Sequence, residues 1–271
     1  MRRIADNTVV WHRSFVLHHF SHNGLSLAYV DLAATGADRG EPILLIHGFA
    51  SNHVVNWLST GWHRTLTHDG RRVVAFDNRG HGSSDKPREP GAYDTRLMAG
   101  DAAALLAHLR IGRADVMGYS MGARIAAFLA LDAPHLVRSL VLGGLGHHLV
   151  DGVGLPPGIA TAMEAPSLDA LADPMQRMFR KFAEATHSDL AALAACIRGS
   201  RQVLSPGEAA AILTPTLIAV GTRDEVAGDP LRLAAQMGNA QAFDIAGRDH
   251  NLAVGDKTFK QAVLDFLGRR P

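Results

Sequence analysis

Disulfides, charge runs and long apolar stretches are all scarce in this chain, and each shortage excludes a class of protein. The single cysteine, Cys196, cannot form an internal disulfide, which excludes a disulfide scaffold and favours a reducing compartment. The 27 Lys and Arg residues nearly balance the 26 Asp and Glu residues, so neither nucleic acid nor a membrane surface is an expected partner. The apolar stretch at residues 9–20 is interrupted by Arg13 and by histidines. We therefore expect no signal peptide or spanning helix, and the cytoplasm is the default location.

The chain does have enough apolar residues for a large core. It contains 271 residues, of which 47% are hydrophobic, and this favours one globular domain whose sheet is covered on both faces. Apolar runs predict buried parallel strands at 43–46, 73–76, 114–117, 137–142 and 216–220, with a last strand at about 240–245. An alternating pattern at 15–17 and 25–30, around Asn23-Gly24, predicts an antiparallel hairpin. Helical patterns lie between the strands at about 54–67, 95–109 and 121–132, and a final one at about 256–268. The alternation predicts an α/β fold with a doubly wound, mostly parallel sheet.

This alternation of strand and helix fails once, after Gly146. A Gly/Pro stretch at 152–158 precedes two helical patterns, at about 167–186 and 188–198, without any strand candidate. We interpret residues 146–205 as a helical lid inserted into a core formed by residues 14–145 and 206–271. Residues 1–13 show no clear period and are interpreted as a leader.

The most informative motif is Gly118-Tyr119-Ser120-Met121-Gly122. A short apolar strand precedes it and a helical pattern follows, which is the context that a nucleophile elbow requires. Glycines flank the serine because the strand and the helix approach too closely for side chains. Ser120 is therefore the candidate nucleophile. The amide of Met121, at the helix start, is a candidate donor to a developing oxyanion.

Four further motifs follow the ends of predicted strands, where open α/β sheets bind ligands. In chain order they are His47-Gly48-Phe49, Asp77-x-Arg79-Gly80-x-Gly82-x-Ser84, Gly221-x-x-Asp224 and Asp249-His250. Together with the Ser120 motif, their order and spacing resemble those of α/β-hydrolases over roughly residues 15–268. The resemblance implies an eight-stranded, mostly parallel sheet and a Ser–Asp–His triad in that chain order.

A serine hydroxyl needs a base within hydrogen-bond reach, and the chain offers fifteen histidines. His250 alone lies between the last strand and the last helix, where a loop can lean over Ser120, so we assign it as the base. By resemblance, His47 and His81 brace glycine turns. Adjacent histidines point in different directions, so His147-His148 is not a metal site by itself, although it can touch substrate at the lid entrance.

The third member of a triad orients the imidazole. Asp224 follows a buried strand and a short turn, which is the usual place in the family, and we assign it this role. Asp151 is the alternative, because some relatives carry the acid after the preceding strand. Asp249 is interpreted as a loop-bonding residue and Asp77 as a turn-capping carboxylate.

An oxyanion hole needs two converging donors. The amides of Met121 and Phe49 are the candidates, and Gly48 keeps the second loop free of a side chain. Phe49 can also be an apolar wall of the pocket.

Cys196 lies in an alanine-rich helical stretch and is interpreted as a buried apolar residue.

The sequence therefore predicts a serine hydrolase that cleaves an ester or lactone of a small, partly apolar substrate, without metal or cofactor. The resemblance leaves open a carbon–carbon bond hydrolase and a cofactor-free haloperoxidase or perhydrolase. A ligand-binding receptor on the same fold is the non-enzymatic alternative. The oligomeric state stays open. Apolar lid residues either pack on the core or contact the acyl group: Met163, Met175, Met178, Phe179 and Phe182.

Overall fold

The computed structural model describes residues 15–152 and 155–270, which form one eight-stranded sheet with helices on both faces. The strands are β1 (His18–His22), β2 (Leu25–Leu32), β3 (Ile43–Ile46), β4 (Val73–Phe76), β5 (Ala114–Tyr119), β6 (Val137–Gly143), β7 (Thr216–Gly221) and β8 (Ala240–Ile245). The α-helices are α1 (Trp62–His68), α2 (Thr95–His108), α3 (Met121–Asp132), α4 (Gly158–Glu164), α5 (Pro174–Ala185), α6 (Leu190–Gly199), α7 (Pro206–Ala211), α8 (Pro230–Gln236), α9 (His250–Ala253) and α10 (Lys257–Arg269). The predicted leader, residues 1–13, lies outside the described residues.

The sheet has the order β1-β2-β4-β3-β5-β6-β7-β8. Strands β1, β2 and β4 pair antiparallel, and the other neighbours pair parallel, so the predicted doubly wound, mostly parallel sheet is confirmed. Gly118 of β5 pairs with Ile46 of β3 on one side and with Leu142 of β6 on the other. The segments that follow these three strands therefore emerge side by side at the carboxyl edge of the sheet.

The central strands are apolar throughout because both of their faces are covered. In β3, Leu44 and Ile46 belong to the core on one face of the sheet, whereas Ile43 and Leu45 belong to the core on the other. This alternation is the two-residue period of a strand. A continuous apolar run is therefore what this position in the sheet requires.

Two predicted elements differ from the structure. The hairpin turns at Asn23-Gly24, as expected, but its first strand begins at His18, and residues 15–17 form no strand. The pattern at 54–67 divides into a π-helical turn, Val54–Leu58, and α1. The break falls at Gly61, whose φ of 79° is left-handed and disfavoured for other residues.

Residues 146–205, which we call the insertion, contain α4, α5 and α6 between β6 and β7. The sequence indicated α6 and also α5, although α5 begins at Pro174 and not at about residue 167. It did not indicate α4, because the prolines before Gly158 suggested a loop. Helices α7 and α8 were also missed, although each has a proline in its first turn and a capping side chain, Ser205 or Asp229. Among the described residues, no helix is both long and apolar enough to cross a membrane.

The insertion packs over the carboxyl edge of the sheet. The hydroxyl of Thr186 donates to the carbonyl of Ala50 at 2.9 Å. The ring of Phe179 lies 6.2 Å from that of Phe49. These contacts place the insertion beside the loop after β3. That it acts as a lid stays a prediction.

Candidate active site

The turn between β5 and α3 holds Ser120 in a strained conformation. Its φ of 54° and ψ of −115° are unusual for a residue with a side chain. Its amide donates to the carbonyl of Gly143 at 2.8 Å, which fixes the turn against β6. A Cβ on Gly118 would lie 2.1 Å from the Gly122 carbonyl oxygen, so the glycines are needed for the close approach.

The side chains of Ser120, His250 and Asp224 form a continuous hydrogen-bonded chain. The Ser120 hydroxyl lies 2.9 Å from His250 Nε2, and His250 Nδ1 lies 2.7 Å from Asp224 Oδ2. The Asp224 side chain is fully buried and that of His250 is 14% exposed. With Nδ1 donating to the carboxylate, Nε2 is left to accept the serine proton. The structure thus brings together three residues that the sequence selected.

Two further contacts hold this chain in place. The other oxygen of Asp224, Oδ1, accepts hydrogen bonds from the amides of Val226 and Ala227 at 2.9 and 3.0 Å. The hydroxyl of Tyr119 donates to the backbone carbonyl of His250 at 2.6 Å. Burial raises the pKa of Tyr119 well above its ordinary value, so the phenol keeps the proton that it donates. The sequence indicated no role for Tyr119, because the second position of the motif accepts many residue types.

The other candidate carboxylates are bound elsewhere. Asp151 Oδ2 contacts His147 Nδ1 and, at 3.2 Å, Arg232. Asp249 accepts the amides of Asn251 and Leu252 and so caps α9.

Asp77 has the turn-capping contacts that the sequence suggested. It accepts the amides of His53 and Ser83, each at 2.8 Å. Asp224 is therefore the carboxylate that contacts His250, and Asp77 stabilises the loops after β3 and β4.

The amides of Phe49 and Met121 are free to donate toward the space beside Ser120. Within the described part of the chain, neither N–H has a hydrogen-bond partner. The neighbouring amide of Gly48 instead donates to Asn56 Oδ1 at 3.1 Å, which fixes the loop after β3. Asn56 gave no signal in the sequence, because it reaches this loop only through the π-helical turn.

His47 and His81 lie beneath this loop, fully buried. The Nδ1 of His47 donates to the Gly48 carbonyl at 2.8 Å, and its Nε2 accepts the amide of Asn78 at 3.0 Å. The Nδ1 of His81 donates to the Arg79 carbonyl at 3.0 Å. Burial lowers the pKa of His47 to about 4 and that of His81 to about 3. Both rings are therefore neutral braces at neutral pH.

A cavity of about 70 Å³, partly open to solvent, lies beside Ser120. Its described lining is mostly apolar but includes two arginines, Arg124 and Arg201. Neither arginine was predicted from the sequence. Arg124 is the single charged residue between Met121 and Leu131, and a lone charge in an apolar helix can indicate a functional residue. The full described lining is Phe49, Ser120, Met121, Arg124, Gly144, Leu145, Gly152, Leu155, Ile197, Ser200, Arg201 and Val226.

The five apolar insertion residues expected from the sequence are not in that lining. Met163 and Phe179 are buried in the core, and Met178 is 41% exposed. Met175 and Phe182 are partly buried against the core.

The paired histidines are also absent from the lining and are held by other contacts. His147 contacts Asp151, and His148 Nδ1 donates to the Val226 carbonyl at 2.7 Å.

Cys196 is fully buried, and burial raises the pKa of its thiol to about 12, so it is not a nucleophile at neutral pH. Among the described residues, no three His, Cys, Asp or Glu side chains are grouped so as to hold a metal ion.

Comparison with known proteins agrees with the fold. Residues 41–194 match the family model of the alpha/beta hydrolase fold. The crystal structure of a hydrolase from Pseudomonas aeruginosa PA01 is similar over 93% of this chain and 98% of its own, with a TM-score of 0.74 and 27% identity.

Two curated proteins are similar over shorter spans. The dihydrolipoyllysine-residue acetyltransferase component of the acetoin cleaving system of Pseudomonas putida is 38% identical over 47% of this chain and 33% of its own length. The 2-(acetamidomethylene)succinate hydrolase of Mesorhizobium japonicum is 34% identical over 45% of this chain and 42% of its own. The matched part thus spans less than half the length of these curated relatives.

Proposed function

The chain belongs to the alpha/beta hydrolase family, and within it we propose that this protein hydrolyses an ester or lactone through an acyl-enzyme on Ser120. The observation that carries the proposal is the hydrogen-bonded chain from Asp224 through His250 to Ser120. A serine hydroxyl is inert at neutral pH without an adjacent base, and here an oriented imidazole lies within 2.9 Å.

The proposed reaction assigns a group of this site to each step. Ser120 attacks the carbonyl carbon while His250 Nε2 takes the hydroxyl proton, and Asp224 stabilises the imidazolium that results. The oxyanion lies between the amides of Phe49 and Met121. His250 then protonates the leaving oxygen, and water, activated by the same imidazole, hydrolyses the acyl-enzyme.

An ester or lactone is preferred over an amide because an alkoxide is a better leaving group than an amide nitrogen. The mostly apolar lining of the cavity beside Ser120 fits a partly apolar acyl group. The 2-(acetamidomethylene)succinate hydrolase among the relatives supports water as the acyl acceptor.

Labelling with a fluorophosphonate probe tests the proposal directly. The probe should modify the wild-type protein at Ser120 and leave Ser120→Ala unmodified. On an ester panel of increasing acyl length, Ser120→Ala should lose roughly 10⁶-fold in kcat. The panel should include a lactone and a carbon–carbon substrate, so that the other bond types proposed from the sequence are measured in parallel.

Two results would count against the proposal. One is probe labelling of Ser120→Ala at another residue. The other is a wild-type protein that binds the panel compounds without turnover, which would favour the receptor alternative.

A further inference from the structure

Arg124 is an unusual residue for its position. It lies on the otherwise apolar face of α3, four residues after Ser120, and is 8% exposed. A buried guanidinium is costly unless its charge is compensated. Its presence in the wall of the cavity therefore needs an explanation.

The contacts of Arg124 use part of its hydrogen-bonding capacity, and none of them neutralises its charge. Its two terminal nitrogens donate to the backbone carbonyls of Gln202 at 2.8 Å and His148 at 2.9 Å, with a longer contact of 3.5 Å to Leu149. Among the described residues, no carboxylate forms an ion pair with it. Carbonyl oxygens carry only partial charge, so the guanidinium remains a net cation inside the protein.

A second cation, Arg201, lines the same cavity. One of its nitrogens donates to the Leu155 carbonyl at 3.0 Å, and the described residues again supply it with no carboxylate. Burial, followed by the positive charge of Arg201, lowers the pKa of Arg124 to about 10. The described lining of the cavity includes no acidic residue.

We propose that Arg124 and Arg201 form an anion subsite that binds a carboxylate of the substrate, so that the molecule cleaved at Ser120 is a small ester or lactone that carries a carboxylate. The inference rests on the proposed hydrolase function. Guanidinium groups match the geometry of a carboxylate, and the burial of Arg124 strengthens its attraction for an anion. A bound anion also removes the repulsion between the two arginines.

A purely structural role makes a different prediction. The carbonyl contacts of Arg124 tie the segment after β6 to the segment after α6, and that role is indifferent to the charge of a ligand. The deciding measurement is therefore selectivity between an acid and its neutral isostere. Arg201 is the better residue to substitute, because it is exposed and its single contact leaves the fold intact.

Glutarate and its neutral diamide, glutaramide, are the probes. Their binding to Ser120→Ala protein, measured by calorimetry, should favour glutarate. Adding Arg201→Gln should weaken glutarate binding about ten- to a hundredfold and leave glutaramide unchanged. Arg124→Lys keeps the positive charge but loses the planar guanidinium group. The affinity for glutarate should therefore fall, while the preference for glutarate over glutaramide remains. Arg113→Gln, at an exposed position before β5, is the matched control and should change neither.

Protection of Ser120 links this test to the proposed function. Glutarate should slow fluorophosphonate labelling of the wild type but not of the Arg201→Gln variant. Equal affinity for glutarate and glutaramide, with Ser120 still labelled, overturns the anion subsite and leaves the hydrolase proposal standing. Arg201-dependent binding of glutarate, with Ser120 never labelled, supports the subsite and overturns the hydrolase proposal.

Discussion

The two edges of the sheet each hold a cluster of buried polar side chains, and the clusters differ in how completely they are paired. At the amino edge, Arg71 donates to Asp115 and Glu41 at 2.9 Å and to Asp69 at 3.0 Å. The other oxygen of Asp115 accepts the hydroxyl of Ser139 at 2.7 Å. The charges in this cluster are compensated within the protein.

The carboxyl edge is left incomplete. Beside Ser120 and its base, the amides of Phe49 and Met121 have no acceptor among the described residues, and Arg124 has no counter-ion there. Unpaired buried groups cost stability, and natural proteins keep them mainly where function needs them. Charge pairing therefore separates a structural polar cluster from one that is prepared for a ligand.

After the loss expected for Ser120→Ala, the largest expected effect separates Asp224 from Asp151 at the carboxyl edge. Asp224→Asn should lower kcat roughly 10⁴-fold, because an amide in this place no longer fixes the proton on Nδ1 of His250. Asp151→Asn should change kcat less than about threefold, since Asp151 contacts His147 and Arg232 and not His250. Steady-state kinetics on the best ester measure kcat, and melting curves show whether both variants fold. Similar losses in both variants would contradict the assignment.

Much of this site could be predicted from the sequence because the residues of each motif are close together in the chain. Ser120 lies two residues from each glycine of its motif, and Asp224 and His250 each follow a predicted strand closely. The three meet because the carboxyl ends of parallel strands share an edge, and the family resemblance supplied the order.

The amino-edge cluster had no such signal. Glu41, Asp115 and Arg270 are far apart in the chain, and Arg71 joins them only after the sheet has formed. The contacts of Arg124 with the carbonyls of His148 and Gln202 were hidden for the same reason. Long-range side-chain contacts of this kind leave no periodic pattern.

The next largest expected effect is a loss of stability when the ion pairs at the amino edge are broken. Arg71→Met should lower the free energy of unfolding by about 3–5 kcal/mol, because it leaves buried carboxylates with fewer partners. The adjacent Arg72 is the matched control. Its side chain is 39% exposed and pairs with Asp31, so Arg72→Met should cost at most about 1 kcal/mol. Urea unfolding gives both values.

The catalytic activity of Arg71→Met tests whether the two edges of the sheet act independently. Below its melting temperature, Arg71→Met should retain the wild-type kcat, since no residue of this cluster contacts Ser120, His250 or Asp224. A stable Arg71→Met protein with reduced kcat would show that the two edges are coupled.

The smallest effect is an acid dependence of stability that arises beneath the loop after β3. The native pKa of His81, lowered by burial to about 3, lies below the ordinary value of about 6.5 that applies when the chain unfolds. Between these values the unfolded chain binds a proton that the native protein does not. Stability is therefore lost as pH falls from about 6.5, by about 1.4 kcal/mol per pH unit from this residue. His81→Asn keeps a donor for the Arg79 carbonyl but cannot titrate.

Urea unfolding at pH 7, 6, 5 and 4 measures the slope. It should be shallower in His81→Asn than in the wild type by about 1.4 kcal/mol per unit. His135→Asn, at an exposed position, should leave it unchanged. If instead His81→Asn and the wild type lose stability in parallel, the buried ring takes up a proton in the native state. The loop that carries Phe49 would then be braced by a charged histidine, and the carboxyl edge would share the ionic character of the amino edge.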